Sequence, residues 1–141
     1  MKKILVINGP NLDMLGKRDK AQYGSFTLSE LEGYVAEFSA KLGVEVSFFQ
    51  SAYEGAIIDK LHEKGFDAVA INAGAYTHYS YAIRDAIECA EVPVVEVHIS
   101  DISKREEWRR TSVIKDVCVA SFIGLGKDSY TKAIEYIVRN L

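Results

Sequence analysis

The residues best equipped for chemistry in this chain fall in a few short stretches. The stretch "NGPNLDMLGKRDKAQYG", residues 8–24, carries Asn11, Arg18 and Tyr23 on one connection. A tyrosine is a poor base at neutral pH, with a reference pKa of about 10. A cation beside it favours the phenolate by roughly ten- to a thousandfold, and Arg18, helped by Lys17 or Lys20, is spaced to supply one. The competing reading is that Tyr23 packs over the domain while the cations stay solvated. Asn11 suits a developing oxyanion, where each aimed donor is worth about 3 kcal/mol, or simply a turn after Pro10. His98 can donate or accept a proton at neutral pH, though a lone histidine at a strand end is as readily structural. Arg105 and Arg109, four apart, are expected on one helical face suited to an anionic, hydroxyl-rich ligand; ion pairs with Glu106 or Asp101 are the alternative. Trp108 and Tyr76 are expected to pack.

These groups need a scaffold, and the apolar pattern describes one. The runs "KILVIN", "VEVSFFQ", "DAVAIN", "VPVVEVH" and "VCVASFIG" are nearly continuous and rich in β-branched residues. Such runs are what strands buried on both faces of a parallel sheet look like. Between them, "TLSELEGYVAEFSAKLG" places Leu28, Leu31, Val35, Phe38 and Leu42 at helical spacing. Thr27 and Glu30 make a capping box, and Gly43 is the stop. "GAIIDKLHEKG" and "SYAIRDAIECAEVP" are two further helices, "KREEWRR" one or two turns, and "DSYTKAIEYIVRNL" a closing helix with Asp128 as its cap. Five alternations of strand and helix predict an α/β fold: one flavodoxin-like, doubly wound, parallel five-stranded sheet in a three-layer α/β/α sandwich. Residues 1–141 are expected to form a single domain.

In such a sheet ligands bind outside the carboxyl ends of the strands. Those ends read "NGPN", "QSAYEG", "NAGAYTH", "HISD" and "GLGKDS". Asn8, Asn11, Asn72, His78 and His98 all fall there, whereas His62 falls in a helix and is expected at the surface.

Composition narrows the classes of function. With 141 residues, 48% hydrophobic, 26% charged and a net charge of −3, the chain has the make-up of a globular protein with no basic face for nucleic acid. No apolar run approaches the ~20 residues of a membrane span. The opening "MKKILVINGPN" imitates a secretory signal, but its apolar core "ILVI" is too short. Two cysteines without CxxC spacing point to reduced thiols and a cytoplasmic setting. No HExxH, HxH or GxSxG pattern occurs, so neither a metal site nor a serine-hydrolase elbow is expected. "NGPNLDML" lacks the serines and threonines of a flavin mononucleotide loop, and Asn8 and Asn72 stand where a receiver domain needs acids. "GLGKDS" has Asp128 after the lysine, which spoils a phosphate-binding loop.

Taken together, "NGPNL-x-x-LG-x-R-x(4)-YG", "N-x-GAYTH", "VEVH-x-S" and "REE-x-R-x-x-S" occur in order. They resemble the type II 3-dehydroquinate dehydratases over essentially the whole chain, from about Lys3. The resemblance implies a lyase of the shikimate pathway, in chorismate and aromatic amino acid biosynthesis. It would remove water from 3-dehydroquinate by anti elimination through an enolate, with no cofactor and no metal. The family commonly assembles as a dodecamer of trimers. By the same resemblance Tyr23 is the base, with Arg18 beside it to stabilise the phenolate. Asn11 holds a water on the enolate oxygen, and His98 protonates the departing hydroxyl. Asn72, Gly74, His78 and Arg109 contact the substrate, the backbone of Ile99 and Ser100 cradles its carboxylate, and Asp85 reaches a neighbouring subunit's site. Arg105 matches a motif arginine with no role assigned. A catalytically silent small-molecule-binding module on the same fold is the alternative.

Four departures accompany the resemblance. Ala73 stands where the family usually has proline, Asp101 and Asp13 where asparagine is common, and "QSAYEG" replaces the more usual "QSNHEG". The first connection is also over-length against the roughly 2–6 residues usual between strand and helix. It is expected to be a lid, its second half carrying Arg18 and Tyr23 over bound substrate.

Overall fold

The computed structural model describes residues 1–141. Its sheet consists of β1 (Lys3–Asn8), β2 (Glu45–Gln50), β3 (Ala68–Asn72), β4 (Val94–His98) and β5 (Ala120–Ile123). All pair in parallel in the order β2-β1-β3-β4-β5. This is the flavodoxin-like doubly wound order, as expected.

The helices are α1 (Lys20–Tyr23), α2 (Leu28–Lys41), α3 (Glu54–Leu61), α4 (Tyr81–Cys89), α5 (Glu107–Arg110) and α6 (Asp128–Asn140). Leu31 and Val35 of α2 and Ile134 and Ile137 of α6 bury against one face of the sheet, among Ile4, Val6, Val95 and Val97. Ile57 and Leu61 of α3 and Ile83 and Ile87 of α4 cover the other face, over Leu5, Ile7, Val69 and Ile71. Two cores, one on each side, make the three layers. No helix is long and apolar enough to cross a membrane.

Local signals account for most element ends. Thr27 and Glu30 form the expected capping box, with both reciprocal hydrogen bonds at 3.1 Å. Gly43, at φ 71, takes the left-handed conformation that ends α2. Three expectations need correction. Only β3 and β4 are buried throughout, and β1 from Ile4 onward; β2 and β5 are the sheet edges and stay partly exposed. The apolar run before β5 does not belong wholly to the strand: Val117 and Cys118 turn back to Ile114 and Lys115, and pairing begins with Val119 donating to the Val94 carbonyl. Asp128 does not cap α6, because Lys127 is the cap residue; Asp128 lies in the first turn, where its carboxylate accepts the Tyr34 hydroxyl at 2.6 Å.

The order reverses between β1 and β3, and there the backbone is drawn tight. The Gly9 N–H donates to the Asn72 carbonyl at 2.8 Å. A Cβ on Gly9 would lie 2.5 Å from the Ala73 carbonyl oxygen, so only glycine permits this approach. The crevice beside it is where the strand-end residues converge.

Candidate active site

A cavity of about 90 Å³ opens at the carboxyl ends of β1, β3 and β4. Of the residues expected at the site, Asn11, Arg18, Tyr23, Asn72, Gly74, His78, His98, Ile99, Ser100 and Arg109 all line it. Asp85 does not; it lies on the exposed face of α4. His62 is exposed at the end of α3, as expected. No cluster of three or more His, Cys, Asp or Glu side chains is placed to hold a metal ion.

The long first connection is not plain coil. A 3-10 turn at Leu12–Met14 follows Asn11, the single non-glycine residue at positive φ (70°), a conformation asparagine tolerates. One α-helical turn, α1, then carries Tyr23 inward, capped by the Asp19 carboxylate on the Ala21 N–H at 3.0 Å. Leu12, Leu15 and Tyr23 join the core, and Tyr23 is 8% exposed.

Two guanidinium groups meet this tyrosine from different directions. Arg18 lies over the ring, 3.8 Å from its centroid. Arg105 Nη1 donates to the phenolic oxygen at 2.5 Å and to the Ser100 hydroxyl at 3.3 Å. The polar contact expected of Arg18 is therefore made by Arg105, and Arg18 stacks instead. Arg105 ends the 3-10 turn Ile102–Lys104 in extended backbone, while Arg109 sits in α5. The two arginines thus do not share a helical face as their spacing suggested, yet both reach the cavity. Arg109 pairs with Glu106 at 2.5 Å and stacks on Trp108 at 4.1 Å. Neither Arg18 nor Arg105 has a carboxylate partner, and no acid lines the cavity, so its field favours an anion.

His98 ends β4 and is 4% exposed. Its Nε2 meets Glu96 Oε2 at 2.7 Å. Residues two apart on a strand point to the same face, so this pairing is built into the strand itself. Glu96 is 1% exposed and also accepts the hydroxyls of Ser112 at 2.6 Å and Ser121 at 2.7 Å. Burial opposes its ionisation, but the hydrogen bond and charge of His98, with both serine hydroxyls, outweigh burial and hold the carboxyl below its usual range. His98 Nδ1 is then the ring nitrogen left for a ligand.

His78 is set differently. Its Nδ1 donates to the Thr111 carbonyl at 2.7 Å, leaving Nε2 as an acceptor. Burial pushes its pKa below the ordinary histidine value, against the hydrogen bond to Thr111, so the neutral ring is favoured. Its edge rests on Trp108, with centroids 5.3 Å apart.

Asn72 is oriented by a buried relay. The Tyr130 hydroxyl donates to Asn8 Oδ1 at 2.5 Å and accepts from Asn72 Nδ2 at 2.9 Å. Asn72 Oδ1 accepts the Gly74 N–H at 3.1 Å. One amide proton of Asn72 remains for the cavity. The backbone N–H groups of Ile99 and Ser100 donate to nothing within the chain, which makes them a ready cradle for a carboxylate.

Sequence reasoning missed the parts played by Glu96, Arg105, Ser112, Ser121 and Tyr130. Arg105 and Ser112 lie in the "REE-x-R-x-x-S" stretch, and Glu96 carried a signal of its own: an acid in the middle of an apolar strand run, two residues before a histidine.

Comparison with known proteins gives a consistent result. The family model described as dehydroquinase class II matches residues 2–138. The 3-dehydroquinate dehydratase of Thermotoga maritima is 55% identical over 139 residues, covering 99% of this chain and 96% of that protein. That of Bacillus pumilus is 51% identical over 140 residues, covering 98% and 95%. The crystal structure of type II dehydroquinase from Butyrivibrio crossotus superposes with a TM-score of 0.95 at 45% identity, covering 99% of this chain and 98% of that one. A flavodoxin-like sheet with its strand-end groups gathered at the switch point, and relatives matching over nearly the whole length, lead to one conclusion: this chain belongs to the class II dehydroquinase family.

Proposed function

We propose that this chain is a 3-dehydroquinate dehydratase, a hydro-lyase of the shikimate pathway that converts 3-dehydroquinate to 3-dehydroshikimate, with residues 1–141 acting as one catalytic domain. The observation that carries the reading is a buried tyrosine whose oxygen lies 2.5 Å from one guanidinium while a second covers its ring. One guanidinium is placed to hold the oxygen and the other to cover the ring while that oxygen takes a proton.

On this reading the Tyr23 phenolate takes the C2 proton, and the C–H electron pair moves into an enolate with its charge on the ketone oxygen. Asn11, whose side chain hydrogen-bonds to nothing in the chain, holds a water on that oxygen. As the enolate collapses, its electrons form the ring double bond and the C1–O bond breaks. His98 gives its Nδ1 proton to the departing hydroxyl, which leaves as water. Tyr23 ends protonated and His98 neutral, and proton exchange with solvent resets both.

The free N–H groups of Ile99 and Ser100 take the substrate carboxylate. His78 Nε2, the remaining Asn72 amide proton and Arg109 take its hydroxyls, with the Gly74 backbone close by. Asp85, outside this chain's own cavity, serves a neighbouring copy in a homododecamer built of trimers. The two free cysteines suit a cytoplasmic enzyme. A catalytically silent binding module would need the carboxylate cradle but neither the paired guanidinium groups nor the buried Glu96–His98 couple, so the enzyme is favoured.

The test is to mix the protein with 3-dehydroquinate and follow the absorbance of the conjugated enone product. A rise is expected; a folded protein that leaves the signal flat overturns the proposal. Borohydride added with substrate should not inactivate, since no lysine forms a Schiff base.

A further inference from the structure

We propose that Ser112 is a positioning residue for the proton donor: its hydroxyl fixes the Glu96 carboxylate and, through it, the ring of His98. The chemistry rests on the dehydratase reading above, while the geometry rests on hydrogen bonds alone.

A carboxylate that is 1% exposed survives only if its oxygens are occupied. Ser121 supplies one donor from β5, opposite Glu96 in the sheet register, so strand pairing sets its place. Ser112 belongs to no strand. It lies between α5 and the 3-10 turn Lys115–Val117, on the segment leading out of the Arg105–Arg109 stretch. Its Oγ donates at 2.6 Å to Oε2, the same oxygen that meets His98.

The residues on either side are pegged to the same edge of the molecule. The Thr111 carbonyl accepts from His78 at 2.7 Å. The Val113 N–H donates to the Thr77 carbonyl at 2.8 Å, and the Val113 carbonyl accepts from Arg84 at 2.9 Å. Three consecutive residues therefore tie this segment to both histidines of the site. Ser112 is the one whose side chain reaches the buried acid.

A hydroxyl donor stabilises the carboxylate and not the neutral acid. With it in place, the carboxylate keeps its charge and its hold on His98 Nε2, which leaves Nδ1 turned to the cavity. Without it, the Nε2 proton passes more readily to Glu96, which leaves Nδ1–H on a neutral ring, a far weaker acid. The other titratable groups bearing on Glu96 are Cys118 beside the 3-10 turn and His78 across the cavity, themselves acted on by Asp116 and Arg109. None of these donates a hydrogen bond to the carboxylate, so none replaces Ser112.

Ser112→Ala and Ser112→Thr should be compared with the unmodified protein, following turnover of 3-dehydroquinate from about pH 6 to pH 9 and the ring-nitrogen chemical shifts of His98. In Ser112→Ala, kcat should fall about tenfold and its alkaline limb should move to lower pH, with KM changed less than about twofold. The His98 shifts at a given pH should move towards those of a neutral imidazole, and threonine should restore both readouts. An activity loss equal at every pH, or unmoved His98 shifts, would mean that Ser112 only supports packing, and would overturn the proposal. Where Ser112→Ala does not fold, Ser112→Cys carries the test: a weaker donor should move the limb the same way, and an unmoved limb overturns the idea. If the unmodified protein does not turn over the substrate at all, the dehydratase reading fails by itself, and the His98 shifts still decide the positioning role.

Discussion

Arg105 Nη1 lies 2.5 Å from the hydroxyl of Tyr23, across 82 residues of sequence. Arg18, five residues from Tyr23, touches only the face of its ring. The distant arginine holds the oxygen, and the near one shields the ring. Tyr23→Phe should abolish turnover while substrate binding stays measurable by calorimetry. Arg105→Met should lower kcat roughly a hundredfold, the scale seen when one oriented donor is lost. Arg18→Met should cost less, because a cation over a ring contributes only about 0.5–2 kcal/mol. Near-normal kcat in Tyr23→Phe removes it as the base.

Glu96→Gln should lower stability at neutral pH by about 3 kcal/mol, since an amide cannot accept from His98, Ser112 and Ser121 as a carboxylate does. The pH dependence has a definite sign. A carboxyl held below its unfolded value adds stability above the ordinary carboxylate range and loses it as pH falls through the lower, folded value. Urea unfolding of the unmodified protein should therefore show Glu96's contribution complete above about pH 5 and fading below about pH 4. In Glu96→Gln that share of the acid dependence should vanish; an unchanged slope contradicts the assignment.

His78 should remain a neutral acceptor below the pH at which a free histidine charges, because burial disfavours its cation. Nitrogen shifts should report the proton on Nδ1, where Thr111 holds it. His78→Ala should raise KM about tenfold with a smaller change in kcat, as expected for a group that binds a hydroxyl without joining the chemistry.

Ala73→Pro should stabilise the protein by about 0.4–1 kcal/mol, seen as a higher Tm. Ala73 has φ −76°, close to the value proline imposes, follows an extended strand residue, and its N–H donates to nothing in the chain. A lower Tm would mean that the tight approach of Gly9 leaves no room for the ring.

The segment from Lys17 to Ser25 is held mainly by its own bonds, Tyr23 N–H to the Asp19 carbonyl at 3.0 Å and Gly24 N–H to the Lys20 carbonyl at 2.9 Å. Beyond these, Tyr23 alone is buried in the core and held by Arg105, so opening the segment costs chiefly the contacts of that one side chain. Its amides should exchange quickly in the free protein and slow on adding a substrate-like anion. Equal protection in both states would end the lid interpretation.

How much of this was legible follows from how each part is encoded. Strand order and layers were readable because Ile4–Ile7 and Ala68–Ile71 are unbroken apolar runs, and because Thr27, Glu30 and Gly43 mark helix ends locally. Asn11, Tyr23, Asn72, His78 and His98 were readable because a parallel sheet gathers strand ends on one edge. The contact of Arg105 with Tyr23 was not, since it depends on extended backbone between a 3-10 turn and α5, where a spacing of four suggested one helical face. The partners of Glu96 were hidden too: Ser112 and Ser121 come from other elements, and only tertiary packing brings them together. Asp128 was misread because an acid suits both a helix cap and the first turn inside it.

The Asn8–Tyr130–Asn72 relay has a consequence for the order of events during synthesis. Asn8 and Asn72 emerge early, side by side in the sheet, yet the hydroxyl that satisfies both stands on α6. Until that helix has left the ribosome and docked, Asn8 Oδ1 and Asn72 Nδ2 lack the hydroxyl that joins them. A nascent chain halted before Tyr130 should therefore carry every residue proposed for proton transfer and still be unable to seat a substrate. The floor of the cavity is completed by the last helix of the chain.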